Sequence, residues 1–266
     1  MFALTLTLLA CTHRPQPATA PVVLPIAAIN DWHGTLYEQP VRGAEGVVAG
    51  GLPWLVGTME ALRAEHPDLV LLDGGDVFQG SWPINASRGA GAVDAFALLG
   101  VDAAAVGNHE FDYGGTETHP LRGALMDAAA RAPFAWLAAN ITEEDGTPWA
   151  PEGITATTII DRGGVRLGVI GLSTMETPQT TLPGNVADLR FTDPVEAVKA
   201  ALPSLRKAKA WLLALPDTAL HAAVRSLWAA VERLLGPRMT LQDAARLSAT
   251  AQALASGAAA AAPPAK

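Results

Sequence analysis

The sequence predicts a layered α/β domain, and three observations carry that prediction. Short apolar runs alternate with segments of helical periodicity, glycine and proline are plentiful, and aromatic residues are few. With 266 residues, half of them hydrophobic, the chain can bury one sizeable core or form a domain with an appendage.

The run PVVLPIAAIN is continuously apolar and ends in a polar cluster at Asn30, the mark of a buried strand. From Leu52 to Glu65 apolar residues recur at helical spacing until Pro67-Asp68 stops them. DLVLLD, ending at Gly74-Gly75-Asp76, predicts a second strand, and Ala92 to Leu99 a short helix closed by Gly100. VDAAAVG is the third strand and ends at Asn108-His109. A helix from about Pro120 to Arg131 precedes a fourth strand, FAWLAAN. TATTIIDRGGVRLGVIGLS predicts a hairpin: two β-branched runs flank Arg162-Gly163-Gly164, and glycine supplies the positive φ of a tight turn. DPVEAVKAALPSLRKAKA is an amphipathic helix opened by Asp193 and Pro194. Beyond Ala210 the composition shifts to Ala, Leu and Arg, with helical patterns near Thr218 to Leu235 and Leu241 to Ala255. The Ala-rich end is low in complexity and expected to be disordered. The expected organisation is a signal and linker over 1–21, the α/β domain over 22–209 and a divergent helical tail over 210–266.

The net charge of −8, without a run of Lys and Arg, argues against nucleic-acid binding, since a polyanion is repelled by such a surface. A small phosphorylated substrate is compatible with it, because bound divalent cations reverse the sign locally. The single cysteine, Cys11, excludes an internal disulfide framework and a cysteine-rich zinc site. The start, MFALTLTLLAC, resembles a bacterial lipoprotein signal in which Leu8-Leu9-Ala10 lead to a lipidated Cys11. The apolar segment is too short to span a bilayer and is set aside from the fold. It implies export, as a membrane-anchored lipoprotein or a periplasmic protein.

Three polar motifs follow the first three strands: Asn30-Asp31-Trp32-His33-Gly34, Asp73-Gly74-Gly75-Asp76 and Gly107-Asn108-His109-Glu110-Phe111-Asp112. Singly, each is an ordinary turn or helix cap. Together, and in this order, they are specific, because neighbouring strands of an α/β domain deliver the loops at their carboxyl ends to one rim. That rim then holds carboxylates, two imidazoles and a carboxamide, an oxygen and nitrogen donor set suited to Mn²⁺, Zn²⁺, Fe²⁺ or Mg²⁺.

Asp-x-His, Gly-Asp and Gly-Asn-His-Glu in this order resemble the first three motifs of the calcineurin-like metallophosphoesterases. The opening Asn-Asp-x-His-Gly, the stretch Asp76 to Ser81, Asn-His-Glu-Phe-Asp-x-Gly, Ala139-Asn140 and Ile170-Gly171-Leu172 resemble the 5′-nucleotidase branch. The resemblance covers about two thirds of the chain, residues 22–207. It implies a four-layer α/β/β/α domain, here incomplete, and two divalent metal ions. It implies that Asp31 and His33 bind the first metal, Asp76 bridges both, and Asn108 binds the second. His109 would contact the phosphate and stabilise the transition state, with Asp112 orienting it. The implied reaction is hydrolysis of phosphate from a nucleotide by a metal-activated water, in a monomer. Independent chemistry agrees: a carboxylate shared by two cations can clamp an in-line phosphoryl displacement, and a carboxylate partner fixes an imidazole's tautomer.

The resemblance also implies a later histidine after a strand and a Gly-His-x-His motif. Downstream of His119 the sequence has only His221, inside a helical pattern, and no Gly-His-x-His. His13, His66 and His119 match no family position. Strands that would complete a second sheet are expected to be missing, leaving apolar surface to be covered; the tail helices carrying Trp211 and Trp228 are one candidate cover. The compositional break after LPSLRKA points to a shifted reading frame or a truncated gene, tested by reading the downstream DNA in the other frames. Two alternatives follow: a non-catalytic metal- or phosphate-binding lipoprotein, or an inactive frameshifted fragment.

Overall fold

The first apolar run forms strand β1 (Ile26–Ile29), followed by a small ribbon of β2 (Gln39–Pro40) and β3 (Val48–Ala49) and by helix α1 (Gly51–Glu65). Then come β4 (Val70–Asp73), α2 (Trp82–Ala86), α3 (Ala90–Leu99), β5 (Ala103–Ala105), α4 (Gly123–Arg131) and β6 (Ala135–Leu137). β7 (Ile141–Glu143) and β8 (Ile154–Thr155) precede the hairpin of β9 (Thr157–Arg162) and β10 (Val165–Leu172). The described chain ends with α5 (Thr177–Thr180), β11 (Leu189–Phe191), α6 (Pro194–Lys207) and β12 (Trp211–Pro216). The computed structural model describes residues 23–216 except 118 and 209, and only the backbone of 211–216.

Five strands make an all-parallel sheet in the order β1-β4-β5-β6-β8, so their carboxyl ends share one edge. In a second sheet β10 pairs antiparallel with β9 and parallel with β12. The alternation of side chains along each strand sorts the core into layers. Leu71, Ala104 and Trp136 point towards Met59, Phe96 and Leu125 on α1, α3 and α4. Val70, Leu72, Ala103, Ala105 and Leu137 point the other way, onto Ile160, Leu167 and Val169 of the second sheet. The far face of β10, Ile170 and Leu172, is covered by Ala197, Val198, Leu202 and Leu205 of α6. This is the α/β/β/α order. Asp193 caps α6 by accepting the Val195 N–H at 2.7 Å, as its place before Pro194 predicts.

The segment read as the beginning of a helical tail differs. Trp211–Pro216 is a strand, paired along its whole length with Leu167 to Leu172. WLLALP is apolar throughout and six residues long, too short for a stable helix but enough for a strand beside β10; Pro216 cannot continue the ladder. The helical patterns beyond it, with His221 and Trp228, lie outside the described residues, as does Cys11.

Asn140, following β6, ties the two sheets together. Its Nδ2 donates to the Ser173 and Thr192 carbonyls (2.8 and 3.0 Å), and its Oδ1 accepts the Ser173 N–H (2.8 Å). Asn140 and Ser173 are both buried. Replacing Asn140 with Ala leaves one donor and two acceptors without partners, and should cost at least about 3 kcal/mol, the lower end of 1–3 kcal/mol for each stranded group. Urea denaturation of the variant checks this, and a loss of unfolding free energy under about 1 kcal/mol would count against it.

Candidate metal centre

The rim at the carboxyl ends of β1, β4 and β5 is built by loops that continue the sheet's pairing past its strands. The Gly74 N–H donates to the Ile29 carbonyl, Asp31 to Gly75, His33 to Asp76 and Gly34 to Val77, at 2.8–3.2 Å. The backbone pays for this close pairing with unusual torsions. Among the described residues five non-glycine residues have positive φ, and three of them are Asp31 (47°), His33 (48°) and Asp76 (58°). Left-handed backbone outside glycine is uncommon, costs of order 1 kcal/mol or more, and clusters where function demands a fixed geometry.

These loops bring His33, Asp76 and His109 together, with one ligand atom from each lying within 4.8 Å of the others. Asp31 stands at the edge, its Oδ1 3.9 Å from His33 Nε2. Asn108 is buried beside them, with Nδ2 3.4 Å from the Thr180 carbonyl. Two observations show that this set fits a cation. His33 Nδ1 is buried without a hydrogen-bond partner among the described residues. The carboxylates of Asp31, Asp73, Asp76 and Glu110 also crowd one another. Burial pushes Asp76 up from the usual carboxylate range, and burial together with the charges of Glu110, Asp76 and Asp31 pushes Asp73 up further. A divalent cation relieves that repulsion.

Glu110 is the keystone of the loop arrangement. Its carboxylate accepts four backbone N–H groups: Val77 (2.7 Å) and Phe78 (3.0 Å) on Oε1, Gly107 (2.6 Å) and Asp76 (3.1 Å) on Oε2. Burial and the Asp76 charge push its pKa up, while the backbone donors pull it down. Four donors fill the four acceptor directions that only the ionised carboxylate offers, so the loops are built around the anion. Gly107 allows the approach. A Cβ there would lie 2.3 Å from Asp76 Oδ1 and 2.5 Å from the Asp76 nitrogen, so no other residue fits.

His109 opens a single 3₁₀ turn, His109–Phe111. Its Nδ1 lies 2.6 Å from Asp112 Oδ2, its N–H donates to Asp76 Oδ1 at 3.1 Å, and its ring meets that of His33 edge-on, 4.8 Å between centroids. The bond to Asp112 raises its pKa above the ordinary histidine value, with burial opposing. An imidazole biased towards the cation is a better donor to an anion than a metal ligand.

A second loop, after β10, grips this turn from the other sheet. The Asn108 Nδ2–Thr180 carbonyl contact is one point. Thr181 Oγ1 donates to Asp112 Oδ1 at 2.8 Å, and Asn185 Nδ2 donates to the Phe111 carbonyl at 2.7 Å. Arg122 holds the loop's far end, pairing both nitrogens with Asp188 at 2.6 and 2.9 Å while its guanidinium lies over Trp149.

The calcineurin-like phosphoesterase model matches residues 24–214, most of the chain and all of the elements that build the rim. The chain belongs to the calcineurin-like phosphoesterases. It is similar to a 5′-nucleotidase of Diplobatis ommata, 32% identical over 183 residues, which cover 68% of this chain and 30% of that protein. A probable 5′-nucleotidase of Treponema pallidum is 31% identical over 67% of this chain and 29% of its own length. The structure of a 5′-nucleotidase precursor from Thermus thermophilus superposes with a TM-score of 0.63 at 30% identity, covering 73% of this chain and 36% of that one. The chain thus spans about a third of the length of the relatives it matches.

In this calcineurin-like phosphoesterase the residues read from the sequence motifs all lie at or beside the rim. Of the residues read from them, His33, Asp76 and His109 meet, Asp112 backs His109, Asn108 adjoins them, and Asp31 stands at the edge rather than in the tight cluster. The motifs contain Glu110 but assign it no role. Its signal is a glutamate flanked by His109 and the apolar Phe111, a position where burial of a charge demands donors. Thr181 carries no signal at all.

Proposed function

We propose that this chain is a metal-dependent phosphoesterase of the 5′-nucleotidase type, acting as a monomer on a nucleotide. The observation that carries the reading is the convergence of His33, Asp76 and His109 within 4.8 Å at one rim, with Asp112 bonded behind His109. Asp31, His33, Asp76 and Asn108 would hold two divalent cations, with Asp76 shared. A bound cation supplies Lewis acidity and charge neutralisation at a phosphoryl group. His109, oriented through Nδ1 and protonated on both nitrogens, donates from Nε2 to a phosphoryl oxygen as charge builds there. The nucleotide preference is supported by the names of the relatives. Export with lipidation at Cys11 belongs to the same proposal, supported by Leu8-Leu9-Ala10-Cys11 in the sequence; intact-mass measurement after expression in a bacterial host tests it.

Purified chain with Mn²⁺ or Zn²⁺ should hydrolyse AMP and p-nitrophenyl phosphate, and EDTA should abolish the turnover. A second reading is favoured by the small donor set, since two closed metal shells need more ligands than these residues offer. On that reading the chain binds metal or phosphate without turnover. Calorimetric metal binding with no hydrolysis of either substrate would select it. A chain that neither binds metal nor melts cooperatively would be an inactive product.

A further inference from the structure

The loop after β10 touches the His109 turn at three points, and one of them reaches the imidazole through a side chain. Thr181 Oγ1 donates to Asp112 Oδ1 at 2.8 Å, and Asp112 Oδ2 lies 2.6 Å from His109 Nδ1. The three groups form a chain in which each bond constrains the next. A carboxylate with one free oxygen can rotate about its Cβ–Cγ bond and offer either oxygen to the ring. One whose second oxygen is held cannot. Thr181 itself is fixed by the short helix it follows: its N–H donates to the Thr177 carbonyl at 3.1 Å, and the neighbouring Thr180 carbonyl accepts from Asn108 at 3.4 Å. His109 and Asp112 are part-buried, with 28% and 21% of their side chains exposed, so water competes weakly for the carboxylate.

We propose that Thr181 is a positioning residue for His109. Its hydroxyl locks the Asp112 carboxylate, which holds a proton on His109 Nδ1 and fixes the ring with Nε2 turned to the site. The second sheet thereby sets the orientation and the Nδ1 proton of a histidine carried by the first. This rests on the phosphoesterase reading of His109 given above, although the orientation of the ring can be read without turnover. A partner behind a histidine contributes tautomer and orientation, and its loss typically costs 10–100-fold in activity or affinity.

Two variants of the full chain separate positioning from mere packing. Thr181→Val keeps the side-chain shape and removes the donor; Thr181→Ser keeps the donor and removes a methyl. Nitrogen-15 histidine spectra, with His109 assigned through His109→Gln, report which ring nitrogen carries the proton. In Thr181→Val the Nδ1-proton signal of His109 should weaken in favour of the other tautomer. On p-nitrophenyl phosphate with Mn²⁺, kcat should fall about 10-fold with KM nearly unchanged. Thr181→Ser should restore both. A Thr181→Val spectrum and kcat equal to wild type overturn the proposal, and so does a Thr181→Ser variant that behaves like Thr181→Val. If wild type shows no turnover, the phosphoesterase reading fails while the spectra still decide the role of Thr181. If Thr181→Val does not fold, Thr181→Ala carries the same comparison.

Discussion

Glu110→Gln should destabilise the protein by about 4 kcal/mol, although the two side chains are nearly the same shape. The carboxylate accepts four backbone N–H groups, from Asp76, Val77, Phe78 and Gly107. An amide keeps one acceptor oxygen and turns an NH₂ group towards two of those donors. Two backbone N–H groups and the new amide then face one another unpaired in a site that is 1% exposed. Each such stranded group costs about 1–3 kcal/mol, a large share of a total stability of roughly 5–15 kcal/mol. The same substitution distinguishes two states of the native glutamate. A neutral acid would already present one donor to the cradle, and Gln would then be tolerated. Urea denaturation near neutral pH decides: a Gln variant within about 1 kcal/mol of wild type would mean that the loops are not built around the anion.

The second large effect is at Asp76, where function and stability should move in opposite directions. Asp76→Asn retains an oxygen to accept the His109 N–H, and the backbone bonds of residue 76 to Glu110 and His33 do not involve the side chain. What it removes is a buried negative charge. Burial raises the pKa of Asp76 above its unfolded value, so in metal-free protein the unfolded state releases this proton more readily than the native state. Stability is then unaffected below the unfolded value near pH 4 and declines as pH rises from there towards the raised folded value. In EDTA the Asn variant should therefore melt above wild type at pH 7 and level with it near pH 4. With Mn²⁺ the order should reverse, because only wild type gains from a cation that binds the native state. Turnover should fall by about 10³-fold or more, as when a principal electrostatic group of a site is lost. Melting curves with and without Mn²⁺ at both pH values provide the check; an Asn variant that gains as much from Mn²⁺ as wild type would remove Asp76 from the metal site.

Both effects show where sequence reasoning reaches and where it stops. The strands, the hairpin with its Gly163-Gly164 turn and the capped α6 are legible because periodicity, β-branching and capping act over a few residues. The strand Trp211–Pro216 is not, because an apolar run with an Ala-rich sequence beyond it looks helical until a neighbouring strand is there to pair with. The rim is legible for a different reason: parallel strands joined through helices must bring their carboxyl ends to one edge, so motifs after successive strands must meet.

The amino-acid sequence by itself determined the alternation of strand and helix, the family, and the residue types at the rim: Asp31, His33, Asp76, Asn108, His109 and Asp112. The tertiary structure decided how those residues are held. Glu110 draws its donors from loops up to 34 residues away, and Thr181 reaches Asp112 from 69 residues away. Those bonds depend on which loops the packed sheets bring within hydrogen-bonding distance of each other. No local pattern records such a distance, since a threonine in a loop reads the same whether it faces water or a carboxylate.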